Sequence, residues 1–139
     1  MRMQASRELL AARPDVWAFL AEPYHLADWF PGISGVTPDR RGSAAGARWQ
    51  VVASNEPTLF RKPRAPGTLI VTAADPPQLF AFQLVREKLN VRVDLEAISE
   101  ARTLATVTIE GTWLIAYRRS LARRSVARLH SLCQTAATL

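Results

Sequence analysis

Two stretches in the second half of the chain alternate so strictly with a period of two that an antiparallel sheet is the natural way to fold them. In NVRVDLEAIS, Val91, Val93 and Leu95 stand against Arg92, Asp94 and Glu96; in TLATVTIEGTW, Ala105, Val107 and Ile109 stand against Thr106, Thr108 and Glu110. Successive strand side chains point to opposite faces, so each segment presents one apolar and one polar face. Antiparallel strands accept that pattern because one face of their sheet can stay wet. Shorter runs repeat it: Trp49 and Val51 in ARWQVVAS, Leu69 and Val71 in GTLIVTA, and Phe80, Phe82 and Leu84 in QLFAFQLV. Residues 3–11, MQASRELLA, predict a first strand with Met3, Ala5, Arg7 and Leu9 on one face and Arg7 as its polar intruder.

Helical signals lie before and after these strands. In RPDVWAFLAEP, Pro14 fits a first helical turn, Asp15 complements the positive helix end, and Val16, Phe19 and Leu20 form one apolar stripe. Pro23 stops that helix, and a second short one would carry His25 to Trp29. At the other end, residues from Ala116 to about Ala137 predict a long amphipathic helix. Its apolar face carries Leu121, Ser125, Leu129, Leu132 and Ala136 with Ala122 and Cys133 beside them, and Arg119, Arg123, His130 and Gln134 point away. Between strands, NEPTLFRKPRAP (Asn55 to Pro66) reads as a long exposed loop. The order is strand, two short helices, about six strands and a long terminal helix, in one domain over residues 1–139. A sheet with one apolar face needs a cover, and the terminal helix is the long amphipathic element that can supply it.

Composition narrows the function. One cysteine excludes an internal disulfide and a cysteine-based zinc site, and no apolar run is long enough for a spanning helix. The opening MRMQASRELL does not read as a signal peptide, so a cytoplasmic location and no stable membrane insertion are expected. The net charge of +6 comes almost wholly from arginine. Arg118, Arg119, Arg123, Arg124 and Arg128, with Arg61, Lys62 and Arg64, would suit an anionic surface. Yet the helix arginines are spread around its circumference without interleaved exposed aromatics, so a nucleic-acid partner is not expected. Phosphate-loop, nucleophile-elbow and metal-ligand spacings are missing; neither a cofactor nor a metal is expected.

One nonapeptide concentrates the aromatic residues: YHLADWFPG, from Tyr24 to Gly32. Its bulky side chains either cork a core or guard an opening. The run LAARPDVWAFLAEPYHLADWFPGI, followed by the strand series and the C-terminal helix, resembles the opening of the SRPBCC or START-like superfamily, and in particular its polyketide cyclase/dehydrase-like branch. The resemblance implies an α+β helix-grip fold, a curved antiparallel sheet of about seven strands wrapped around the terminal helix. It also implies a hydrophobic cavity between the two that takes lipids, polyketides or other apolar small molecules. Because one fold hosts many functions, the site must carry the rest.

Each candidate residue has a functional and a plain reading. Arg7, facing inward by strand parity, can hold a carboxylate or phosphate, or it can reach the sheet edge or pair with Glu8 or another acid. His25 is an acid–base candidate or a surface residue, and Trp29 is a stacking platform or a core anchor. Trp49, Phe80, Phe82, Trp113 and Tyr117 line a cavity or fill a core; Leu121 and Ser125 would face them from the helix. Ser125, Ala122 and Ala136 leave volume there, which favours an open cavity. Cys133 reads as a small buried hydrophobe and His130 as a polar-face residue. An apolar ligand, held or else cyclised or dehydrated, is the leading expectation; a non-catalytic interaction or stress-related module with a filled core is the alternative. A two-fold dimer through a sheet edge fits the pattern without being demanded by it.

Overall fold

The computed structural model describes residues 2–53, 67–111 and 120–138. Seven antiparallel strands form one sheet: β1 (Arg2–Leu9), β2 (Ile33–Thr37), β3 (Arg48–Ala53), β4 (Gly67–Asp75), β5 (Leu79–Leu84), β6 (Leu89–Ser99) and β7 (Arg102–Gly111). Their spatial order is β1-β7-β6-β5-β4-β3-β2, so β1 crosses to the far side and the edges are β1 and β2. Between these edge strands in sequence come α1 (Arg13–Leu20), a 3-10 turn (Pro23–His25) and α2 (Leu26–Trp29). The terminal helix α3 (Leu121–Thr138) packs on β1 and β7. The predicted helix start at Ala116, the Asn55 to Pro66 loop, Trp113 and Tyr117 all lie outside the described residues.

Register explains the faces. β6 pairs with β7 so that Val91 meets Ile109, Val93 meets Val107 and Leu95 meets Ala105, all of them buried on the inner face. The outer face is polar and partly self-satisfied. There Gln4 Nε2 donates to Thr108 Oγ1 at 3.1 Å, Ser6 bonds Thr106 at 2.8 Å, and Arg102 bridges Glu8 at 2.9 Å. Thr108, on that polar face, is nevertheless buried beneath its neighbours. Register shifts near Gly35, between Val71 and Ala73, and between Ala97 and Ser99 interrupt the ladders, as bulges that bend a sheet do.

Pro31-Gly32 turns the chain from α2 into β2, and Gly32 has φ +92°, a conformation that L side chains rarely adopt. The next connection, residues 38–47, is tied down from several sides. The Asp39 carboxylate accepts from the backbone N–H of Arg48 at 3.0 Å and of Arg41 at 2.9 Å, and Trp49 Nε1 donates to the Gly42 carbonyl at 2.6 Å. The Arg48 amide, then that of Arg41, hold the exposed Asp39 carboxyl below its ordinary value near 3.8.

Two outcomes follow for stability. Replacing Gly32 by Ala meets no atom within 4 Å, so its cost is backbone strain alone, about 1–2 kcal/mol, read by urea denaturation. For Asp39 the folded pKa is depressed, so its contribution is complete above about pH 4 and is lost as acid titrates through the folded pKa. An acid titration of stability should therefore be shallower in Asp39→Asn than in the wild type below that pH.

Candidate functional site

The nonapeptide that posed the sequence question divides between surface and interior. Tyr24 is 67% exposed, whereas Leu26, Trp29 and Phe30 are buried. His25 lies between them: its Nδ1 is 3.2 Å from the Phe19 carbonyl, and its ring stacks on Phe19 at 4.1 Å. A carbonyl can only accept, so this bond puts the proton on Nδ1. His25 thus staples the 3-10 turn to the end of α1. Asp28 is exposed.

Trp29 ends α2, and Phe30 leaves the helix with extended backbone (φ −97°, ψ 117°). That change of direction sends two consecutive side chains inward, which no single periodicity predicts. Their rings meet the inner face of the sheet. Phe82 lies 6.1 Å from Trp29 and 5.6 Å from Phe30, Phe80 lies 6.0 Å from Phe82, and Trp49 stacks on Phe80 at 5.9 Å. Trp17 of α1 meets Phe80 edge-on at 6.5 Å. Phe30 was not singled out in the sequence, although it stands beside Trp29 in the same motif.

From the other side, α3 presents Leu121, Ala122, Ser125, Val126 and Leu129, all buried. Val126 was not among the residues assigned to this face by periodicity. Ala136, which was, is exposed: burial fades along the helix, through half-buried Leu132 and Cys133 to residues 134–136 in solvent. Of the three small residues on this helix, Ala122 and Ser125 face the interior and Ala136 does not.

Arg7 stands opposite the buried Ala105, so its strand position is on the inner face, yet its side chain is exposed. Glu8, one of the acids it could pair with, is bridged by Arg102 instead. Among the described residues, no charged side chain is buried; the buried polar residues are Thr103, Thr108 and Ser125. Each has a partner. Thr103 Oγ1 donates to the Ala11 carbonyl at 2.8 Å, Thr108 accepts from Gln4, and Ser125 Oγ donates to the Leu121 carbonyl at 2.7 Å.

The indoles complete this account. Trp17 Nε1 donates to the Leu79 carbonyl at 3.2 Å and Trp49 Nε1 to Gly42, but Trp29 Nε1 is buried with no acceptor among the described residues. A buried donor without a partner costs about 1–3 kcal/mol. Trp29 is therefore the polar feature that distinguishes this interior.

Elsewhere the chemistry is sparse. Burial raises the Cys133 thiol above its ordinary value, which makes it a poor nucleophile at neutral pH. Arg123, Arg124 and Arg128 are exposed; the other basic residues considered for an anionic surface lie outside the described residues. Among the described residues, no group of three metal-ligating side chains converges, and no helix is long and apolar enough to cross a membrane. A recess of about 250 Å³ opens on the outer face near Asp75, Gln78 and Glu96. Its guanidinium, Arg92, is already held by Asp94 through Nε and Nη2, at 3.0 Å each.

The same arrangement recurs in solved structures of other proteins. XoxI from Bacillus cereus superposes with a TM-score of 0.72 at 8% identity, covering 98% of this chain and 97% of that one. The Aha1 dimer from Colwellia psychrerythraea gives 0.65 at 15%, covering 97% and 95%. The di-domain ARO/CYC BexL of the BE-7585A biosynthetic pathway gives 0.74 at 15%, covering 100% of this chain and 48% of BexL. This chain has the START-like helix-grip fold. No family model matches the sequence, and no curated protein matches it. The likeness carries the fold, and this chain spans about half the length of the di-domain BexL.

Two indole replacements separate the roles. Trp49→Phe removes a donor and strands the Gly42 carbonyl, whereas Trp29→Phe removes a donor that has no partner among the described residues. In the ligand-free protein, urea denaturation should find Trp29→Phe less destabilising than Trp49→Phe by about 1–2 kcal/mol.

Proposed function

We propose that this protein binds an apolar small molecule between the inner face of the sheet and α3. One observation carries the reading: an aromatic wall of Trp29, Phe30, Trp49, Phe80 and Phe82 stands on an inner face that buries no charge among the described residues, and α3 brings Ala122 and Ser125 to that interior. Small helix residues let an apolar guest approach aromatic surface without displacing a large side chain. The helix-grip fold, shared with an ARO/CYC protein, supports the same reading.

Cyclisation or dehydration of a polyketide-like chain would further require a group that moves a proton at the reacting atom. The buried polar hydrogens described on the inner face belong to indoles and hydroxyls, none of which titrates near neutral pH. Binding and orientation of a reactive chain are therefore the contributions these residues would make, by holding reacting groups in register. Sheet edges β1 and β2 remain in the sheet order as surfaces through which two copies would pair.

The test is fluorescence titration with N-phenyl-1-naphthylamine, alongside native mass spectrometry of the purified chain. The reading expects saturable dye binding that falls at least tenfold in Ser125→Leu while far-ultraviolet circular dichroism is retained. A chain that neither carries a small molecule nor enhances the dye would favour the filled-core interaction module. The continuous ring contacts from Trp17 through Phe80 and Phe82 to Trp29 would then be the core itself.

A further inference from the structure

Trp29 Nε1 is the one buried side-chain nitrogen or oxygen without a hydrogen-bond partner among the described residues. Its surroundings make that notable. The residue is fully buried, its ring sits against Phe30 and Phe82, and α2, which carries it, touches both β2 and α3. Buried indole N–H groups usually find an acceptor. In this chain Trp17 and Trp49 do so, each with a backbone carbonyl.

We infer that Trp29 Nε1–H is the polar anchor of the binding site, and that the ligand is an uncharged apolar molecule presenting one oxygen acceptor to it. The inference rests on the binding reading above and deepens it. An indole N–H is a donor only, so the complementary ligand atom must accept. Absence of charge follows from the same interior. Apart from the indole N–H groups, the buried polar groups described there are hydroxyls already bonded to the protein, and Arg7, the cation that strand parity assigned to this face, has its side chain in solvent. A carboxylate at Trp29 would give up its hydration for a single neutral donor, which is unfavourable. A ketone or ether oxygen gives up far less and satisfies an N–H that is otherwise left bare. Specificity then arises as it does for any site with a fixed donor: the analogue lacking the acceptor leaves the donor unpaired.

Three naphthalenes of nearly one shape test this: 2-acetonaphthone, 2-ethylnaphthalene and 2-naphthoate, titrated calorimetrically at pH 7 into the full chain. The ketone should bind about tenfold more tightly than the hydrocarbon, the worth of one net hydrogen bond, and naphthoate most weakly. In a ¹H–¹⁵N correlation spectrum, the indole signal that disappears in Trp29→Phe should move downfield with the ketone and stay in place with the hydrocarbon. In Trp29→Phe itself the ketone and hydrocarbon should bind within twofold of each other. Equal affinity of these two for the wild type would overturn the acceptor while leaving the binding reading intact. Tightest binding by naphthoate would also overturn it and return the anchor to Arg7. Binding of none of the three would overturn both this inference and the reading on which it rests. The wild-type comparison stands even if Trp29→Phe fails to fold.

Discussion

The pairing of β6 with β7 decides which side chains share the inner face, and the rest of the molecule is arranged around that decision. With Val91 opposite Ile109 and Val93 opposite Val107, a slip of β6 by one residue would turn its apolar set into water and bring Arg92 and Asp94 inside. Once that register is set, β5 places Phe80 against Val93 and Phe82 against Val91, and β1 lays Ala5 against Val107. The aromatic wall and the bed for α3 are consequences of one ladder. Neither helix pair nor terminal helix has to specify the sheet; they cover a face already defined.

This dependence explains what was legible in the sequence. Period-two alternation is a local signal, and it places the inward residues of β3 to β7 correctly, including Trp49, Phe80 and Phe82. The curved antiparallel sheet and its helix cover followed from the resemblance and from the need to bury one face. Helical periodicity likewise found Leu121, Ala122, Ser125 and Leu129. It overextended to Ala136 because a period carries no information about where the surface beneath a helix stops.

The candidate site was less legible, for three physical reasons. Arg7 had the right parity, but a long side chain anchored on an inner face can still carry its charge to solvent, and parity fixes only the first bond. Phe30 escaped because it follows a helix end, where backbone direction changes and neither period applies. The unpartnered state of Trp29 is a property of three-dimensional surroundings: Trp17, Trp29 and Trp49 are the same letter in the sequence, and only the carbonyls of Leu79 and Gly42 tell two of them apart from the third.

The clamp on residues 38–47 bears on how such a chain can diversify. Connections between strands are ordinarily where length varies, because their backbones face water and few contacts depend on their path. Here the connection supplies the carbonyl that satisfies a core indole and is fastened to the start of β3 by a carboxylate. Lengthening it would uncouple Trp49 from Gly42 and disturb the ring stacked on Phe80, so a residue inserted in this surface segment is felt in the interior. Relatives sharing the Trp49 clamp should keep this span at constant length and accumulate insertions at turns that have no such tie.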